Sequence, residues 1–247
     1  MRPVDRGVSP QASDFATYTT AFPHLRGRLG PYCSYCERRI PTNLAVEHIQ
    51  AKRYRDTTGA YPYLALRGQW TNFLLGCVNC NSTKGNKNVT LDNVFLPDRD
   101  NTFAAFTYVE DGTIEPAKGL STAQRQLAKD TLALTGLNKQ TRVFRDGNDK
   151  LVALDRVQDR AAVRLEAMDS LEDWVSNPSP ELHRSIIKCA LFAGFFSVWM
   201  DVFSAHPDLR RALINAFDGT ARECFDTSTA PVSPRPLGHG LPHGSKV

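Results

Sequence analysis

No run of apolar residues in this chain approaches the roughly 20 that a bilayer-spanning helix needs. The longest, residues 189–200, is closed by Lys188 and Asp201. The opening MRPVDRG runs straight into polar sequence and lacks the apolar stretch of a secretory signal. A cytoplasmic protein without membrane contact is therefore expected. Internal repeats are lacking too, which excludes solenoid arrays. Charge of one sign is scarce: the formal net charge is +4, compatible with a nucleic-acid partner but not diagnostic of one. Cysteines number six, and four of them fall in two C-x-x-C pairs. In a cytosolic setting such pairs point to metal rather than to disulfides. A thioredoxin-like redox site needs one C-x-x-C near a βαβ pattern, and that pattern is missing.

What is present fits a folded protein. A 41% hydrophobic and 23% charged composition is ordinary for a globular chain, and 247 residues suffice for one large domain or two modest ones. The first cysteine pair is Cys33 and Cys36, in YCSYCERR; the second is Cys77 and Cys80, in LLGCVNCNSTKG. Four thiolates at this spacing can close a tetrahedral structural zinc site. Between the pairs lies VEHIQAKRY, with Glu47 and His48, and directly after them come Asn81 and Lys84.

These residue types suit phosphodiester hydrolysis. That reaction needs a base for water, a cation for the developing charge, and alignment. His48 suits the base, because imidazole titrates near neutrality. Glu47 and Asn81 offer hard oxygens for Mg²⁺ or Mn²⁺. Lys84, expected at the surface, can meet a phosphate as a point charge, and Gly85 lets backbone approach closely. Arg38, Arg39, Lys52, Arg53 and Arg55 surround the motif and are expected to form a phosphate-binding rim, with Lys52 and Arg53 as substrate contacts. Tyr54, Tyr61, Tyr63 and Trp70 are expected to pack.

The strings YCSYC, VEHI and WTNFLLGCVNCNSTKG resemble the HNH, or ββα-metal, endonuclease family. The resemblance covers about residues 31–90. It implies a hairpin carrying His48, a loop, and a helix starting near residues 77–81. It also implies catalytic roles: His48 as general base, Glu47 and Asn81 on the catalytic divalent ion, and Asn72 bracing the loop behind the base. The family more often has Asp at the Glu47 position and His at the Asn81 position. The opening MRPVDRG, the CSYCE element and the helical second half are similar to PtuB-type HNH nucleases of Septu-like bacterial anti-phage systems. That likeness implies an ABC-type ATPase partner.

The expected fold class is α+β: a small zinc-stapled ββα unit followed by a mainly α-helical region. Residues 1–30 form an N-terminal segment, helical around 12–22. Residues 31–118 hold the zinc unit and a hairpin at 103–116 that turns on Asp111-Gly112. Residues 119–225 form a helical assembly region. Helices are expected from Ser121 to near Gly136, over about 151–175 after a break at Asp146-Gly147-Asn148, over about 181–205, and from Pro207 to about Phe217. The segment LFAGFFSVWMDVF is expected in the core, with a docking face for a partner or second copy as its rival. Cys189 is expected to be a buried thiol. Residues 226–247, rich in Pro, Gly and Ser, read as a disordered tail whose His239 and His243 are too sparse for metal. The competing function is a zinc-containing nucleic-acid-binding adaptor without catalysis, which shares the cysteines but has no use for Glu47, His48 and Asn81 together.

Overall fold

The computed structural model describes residues 1–140, 144–145, 151–152, 156–237 and 240–247. Its class is α+β, with seven α-helices and pairs of short antiparallel strands among the described residues. None of those helices is long and apolar enough to cross a membrane.

Helix α1 spans Phe22–Leu29, later than the helix expected at 12–22. Two local causes explain the shift. Ser9 and Gln11 bond to nearby backbone and hold bends there. Pro23 sits in the first turn, where its fixed φ favours a helix start. Strand β1 (Ala45–His48) pairs antiparallel with β2 (Phe73–Gly76), so that Glu47 faces Leu74 and His48 faces Phe73 across the ladder. Helix α2 (Val78–Lys84) follows at once, with the Cys77 sulfur as its N-cap.

The hairpin of β3 (Phe106–Tyr108) and β4 (Ile114–Pro116) forms where Asp111-Gly112 indicated. Asp111 Oδ1 accepts from the Thr113 amide at 2.8 Å, and Gly112 takes φ +84°. Helix α3 (Thr122–Thr135) carries a capping box between Ser121 and Gln124 and ends on left-handed Gly136, as expected. It packs on α2 and contributes Ala128 and Leu134 to the core around the cysteines. Strands β5 (Phe144–Arg145) and β6 (Leu151–Val152) pair where the sequence suggested that the next helix begins. That helix, α4, is instead Arg156–Ser176. The expected break at Asp146-Gly147-Asn148 lies outside the described residues.

The apolar helix expected over 181–205 is two helices, α5 (Pro180–Ala193) and α6 (Phe196–Val202). Gly194 takes φ +78° and Phe195 φ +53° between them. The cause is tertiary. A Cβ at Gly194 would lie 2.7 Å from the Arg39 nitrogen and 2.8 Å from the Glu37 carbonyl oxygen. The kink thus lets the cysteine-bearing turn dock on α6, where the Glu37 carboxylate accepts from the Ser197 amide (2.9 Å) and hydroxyl (2.6 Å). Helix α7 spans Pro207–Ala216. A second core cluster forms among α4–α7, centred on Trp199, Met200, Phe203 and Leu213. Phe195 to Met200 are buried, so most of LFAGFFSVWMDVF is core, while Phe192 is exposed.

The tail is ordered where described, contrary to the sequence expectation. The Arg235 guanidinium is buried and donates to the carbonyls of Val4 and Pro97, and it pairs with Glu223 at 2.8 Å. Lys246 meets buried Asp100 at 3.0 Å, and Val247 is buried. Polar composition predicted disorder because it counts apolar side chains, whereas this tail is held by buried arginine and backbone bonds. His243 pairs with Asp92 at 2.8 Å; His239 lies outside the described residues.

Candidate functional site

The two cysteine turns converge because β1 and β2 bring residue 77 beside the tight turn at 33–36. Cys33, Cys36, Cys77 and Cys80 are all buried, and their sulfurs lie within 4.8 Å of one another. Cys36 Sγ and Cys77 Sγ are 3.8 Å apart. A tetrahedron with Zn–S bonds of about 2.3 Å has its sulfurs about 3.8 Å apart, so the four fit a zinc ion. The Cys77 amide donates to Cys33 Sγ at 3.4 Å, and the Arg156 guanidinium to Cys80 Sγ at 3.1 Å. These donors suit thiolates. Hydrogen bonds from Cys33 and the other sulfurs hold the Cys77 thiol low, while burial pushes Cys33 up. Arg156 and Arg160, both buried, set positive charge beside a cluster that stays anionic with one divalent ion bound.

Glu47 and His48 are consecutive on β1, so they leave the strand on opposite faces. His48 turns toward α1's approach segment and β2. Its ring packs edge-on against Tyr18 (4.8 Å) and Phe73 (5.2 Å). Its Nε2 lies 3.0 Å from the Arg67 carbonyl oxygen. A carbonyl only accepts, so Nε2 carries the proton and the neutral ring has its lone pair on Nδ1. Nδ1 has no hydrogen-bond partner among the described residues. Burial lowers the ring's pKa below 6.5, and the Lys52 and Lys84 cations lower it further. The ring is therefore neutral at physiological pH.

Glu47 turns toward α2, where it meets Lys84. Both side chains are 2% exposed, with Lys84 Nζ 2.7 Å from Glu47 Oε1. Lys84 is thus buried, not the surface residue expected. A lysine ending a polar helix reads as solvated until β1 packs against it. The ammonium thus neutralises a carboxylate oxygen that is itself buried. Burial raises the Glu47 pKa, and Lys84 opposes that rise. Gly76, which the sequence reading missed, makes room: a Cβ there would lie 3.0 Å from Glu47 Cβ.

Asn72 is buried and ties down the loop after His48. Its Oδ1 accepts from the Gln50 amide at 2.8 Å, and its Nδ2 donates to the Gln50 carbonyl at 3.1 Å. Glu47, His48, Lys52, Arg53, Asn81 and Lys84 all line one cavity of about 280 Å³. The fit to a divalent ion rests on the donor set, the Glu47 carboxylate and the half-exposed Asn81 carboxamide, a hard-oxygen pair lining one cavity. A larger cavity, about 520 Å³ beside Trp70, holds none of these side chains.

The basic rim is smaller than expected. Lys52 lies over the Tyr18 ring, 3.4 Å from its centroid, and Arg53 is exposed at the cavity wall. Arg38 is buried and pairs with Asp159, Arg39 lies over Phe192, and Arg55 bonds the Gly59 carbonyl in its own turn. Tyr54 stacks on Tyr63, and Trp70 on Phe15. Tyr61 is exposed. Cys189 is only half-buried, with Glu166 3.5 Å from its sulfur, whereas burial pushes the Cys224 thiol up to about 12. Tyr18, Arg67 and Arg156 complete the site from segments with no local motif. No protein-family model matches the chain, and no curated protein matches it.

Proposed function

We propose that this chain is a metal-dependent endonuclease of the HNH type that hydrolyses DNA phosphodiester bonds. The observation that carries the reading is His48, whose Nε2–H is committed to the Arg67 carbonyl while Nδ1 has no partner among the described residues, and which lines the same cavity as Glu47 and Asn81. The arrangement leaves one ring nitrogen with a lone pair that can take a proton. His48 Nδ1 takes the proton from the attacking water. The Arg67 carbonyl keeps the ring in the reactive tautomer and stabilises the imidazolium that forms. Glu47 and Asn81 would hold the divalent ion. Bound there, Mg²⁺ or Mn²⁺ supplies Lewis-acid stabilisation of the phosphorane and the leaving 3′-oxygen. Asn72 fixes the loop that follows the base, and Lys52 and Arg53 meet the phosphate backbone. The four cysteines hold structural zinc.

The proposal extends to anti-phage defence beside an ABC-type ATPase, supported by the resemblance of the MRPVDRG and CSYCE strings. The adaptor reading draws support from one observation, the buried Lys84–Glu47 pair, which reads as a structural strut. Metal titration of cleavage separates the two. Glu47→Gln and Asn81→Ala are expected to raise the Mg²⁺ or Mn²⁺ concentration for half-maximal DNA cleavage while zinc content is unchanged. Binding of DNA without cleavage at any ion concentration, with or without the ATPase, would favour the adaptor.

A further inference from the structure

We propose that Lys84 is the resident cation of the metal-free site: its ammonium holds the place beside Glu47 that a divalent ion takes over, and ion binding releases Lys84 toward the substrate phosphate. This rests on the nuclease reading above and adds an order of events to it.

Three observations converge. Lys84 and Glu47 are sealed together at 2% exposure, and Glu47 is the only polar side-chain partner of the ammonium among the described residues. The pair meets at 2.7 Å, so the carboxylate oxygen that a metal would use is already neutralised by the ammonium. Asn81, the second hard-oxygen donor, sits one turn before Lys84 on α2, so the two reach the same space from one helix face.

An ammonium 2.7 Å from Oε1 occupies the volume that an ion bonded to that oxygen at about 2.1 Å and its waters need. Both cations cannot stay, because like charges at that separation in a buried site repel strongly. Removing Lys84 without replacement would leave a buried, unpaired carboxylate, which is costly. Exchange of one cation for the other avoids that cost. Room for the exchange exists: Lys84, Gly85 and Asn86 all line the cavity that also holds Lys52 and Arg53. Lysine has a flexible four-carbon stem, and Gly85 at φ +53° ends the helix directly behind it. The free enzyme thus keeps Glu47 neutralised and its ion affinity low. Once the ion enters, the same ammonium becomes a phosphate contact. Ion and DNA then bind with positive coupling, since each gains from the release of the pair.

Lysine acylation of the intact zinc-loaded protein tests this directly. Labelling by acetyl N-hydroxysuccinimide is read by mass spectrometry with and without Mn²⁺, and bound Mn²⁺ is counted by electron paramagnetic resonance. Glu47→Gln assigns the ion to this site. Lys84 is expected to be protected without Mn²⁺ and to label at least tenfold faster with it, while exposed Lys87 is unchanged. Lys84→Met, which keeps the length of the side chain, is expected to bind Mn²⁺ at least tenfold tighter than wild type in the absence of DNA. Mn²⁺ binding with Lys84 still protected would overturn the exchange, as would equal Mn²⁺ affinity in Lys84→Met. If neither protein binds Mn²⁺ at Glu47, the nuclease reading falls together with the exchange.

Discussion

Replacing Asn72 by alanine removes the side chain that ties the segment entering β2 to the loop after His48, the proposed base. Two firm hydrogen bonds are lost, both to Gln50, at 2.8 and 3.1 Å; a third contact, to the Leu66 carbonyl at 3.4 Å, is too long to count for much. Each firm bond contributes about 1 kcal/mol net, and stranding its partner adds a further penalty. Gln50 is half-buried, so water recovers part of that penalty. The sum is about 2–3 kcal/mol, or a fall in Tm of about 5–10 °C for a chain of this size. The backbone bond from the Ile49 amide to the Asn72 carbonyl, at 2.9 Å, survives the substitution. Asn72→Asp makes the test sharper. A carboxylate still accepts from the Gln50 amide, but its second oxygen faces the Gln50 carbonyl lone pair. At pH 7 the Asp variant is therefore expected to be less stable than the Ala variant. Acidification restores a donor and should close the gap. Urea denaturation of the three zinc-loaded proteins at pH 7 and pH 5 measures this. A cost below about 0.5 kcal/mol for alanine, or an Asp variant as stable as wild type at pH 7, would refute the bracing geometry.

Cys77→Ser is expected to lower zinc to below one ion per chain and to unfold the N-terminal half. Structural zinc supplies about 10 kcal/mol or more of folding free energy, which rivals the whole stability of an ordinary domain; an unchanged Tm with zinc retained would count against the staple. The acid limb of DNA cleavage is expected below pH 6.5, since burial keeps His48 neutral to lower pH than a free imidazole. The same shift has a stability consequence. Between the folded and unfolded pKa values the unfolded chain binds the extra proton, so this contribution is full above pH 6.5 and is lost as pH falls through the folded value. An acid limb above 6.5 would contradict the burial of the ring. Gly194→Ala is expected to cost about 3 kcal/mol, because it places a Cβ 2.7 Å from the Arg39 nitrogen at φ +78°; thermal denaturation reads it, and a neutral result would mean that the cysteine-bearing turn does not rest on the α5–α6 kink.

What was legible in the sequence was local. C-x-x-C spacing, Asp111-Gly112 and the helix start at Ser121 each act within a few residues, and each formed the element its chemistry favours. Glu47, His48 and Asn81 share a cavity because β2 pairs with β1, which carries the first two, and leads directly into α2, which carries the third. Lys84 was misread for the opposite reason. Nothing within α2 marks it as buried, and its partner lies 37 positions away across the β1–α2 contact. The same holds for Arg156 on Cys80 and Arg235 within the tail, both buried cations with distant carbonyl or sulfur partners. Hydropathy could not find the α5–α6 break either, because both sides of Gly194 are apolar and only the approach of Glu37 and Arg39 requires the kink.

The central claim, that His48 is the base of a phosphodiester hydrolase, is tested most directly by cleavage of supercoiled plasmid. Wild type and His48→Ala are compared at equal zinc content and equal Tm, with Mg²⁺ or Mn²⁺ and with and without the proposed ATPase partner. Divalent-dependent cleavage by wild type that falls by about 10²–10⁴-fold in His48→Ala is the expected result. Equal cleavage by the two proteins, or none by a folded wild type under any of these conditions, would contradict it.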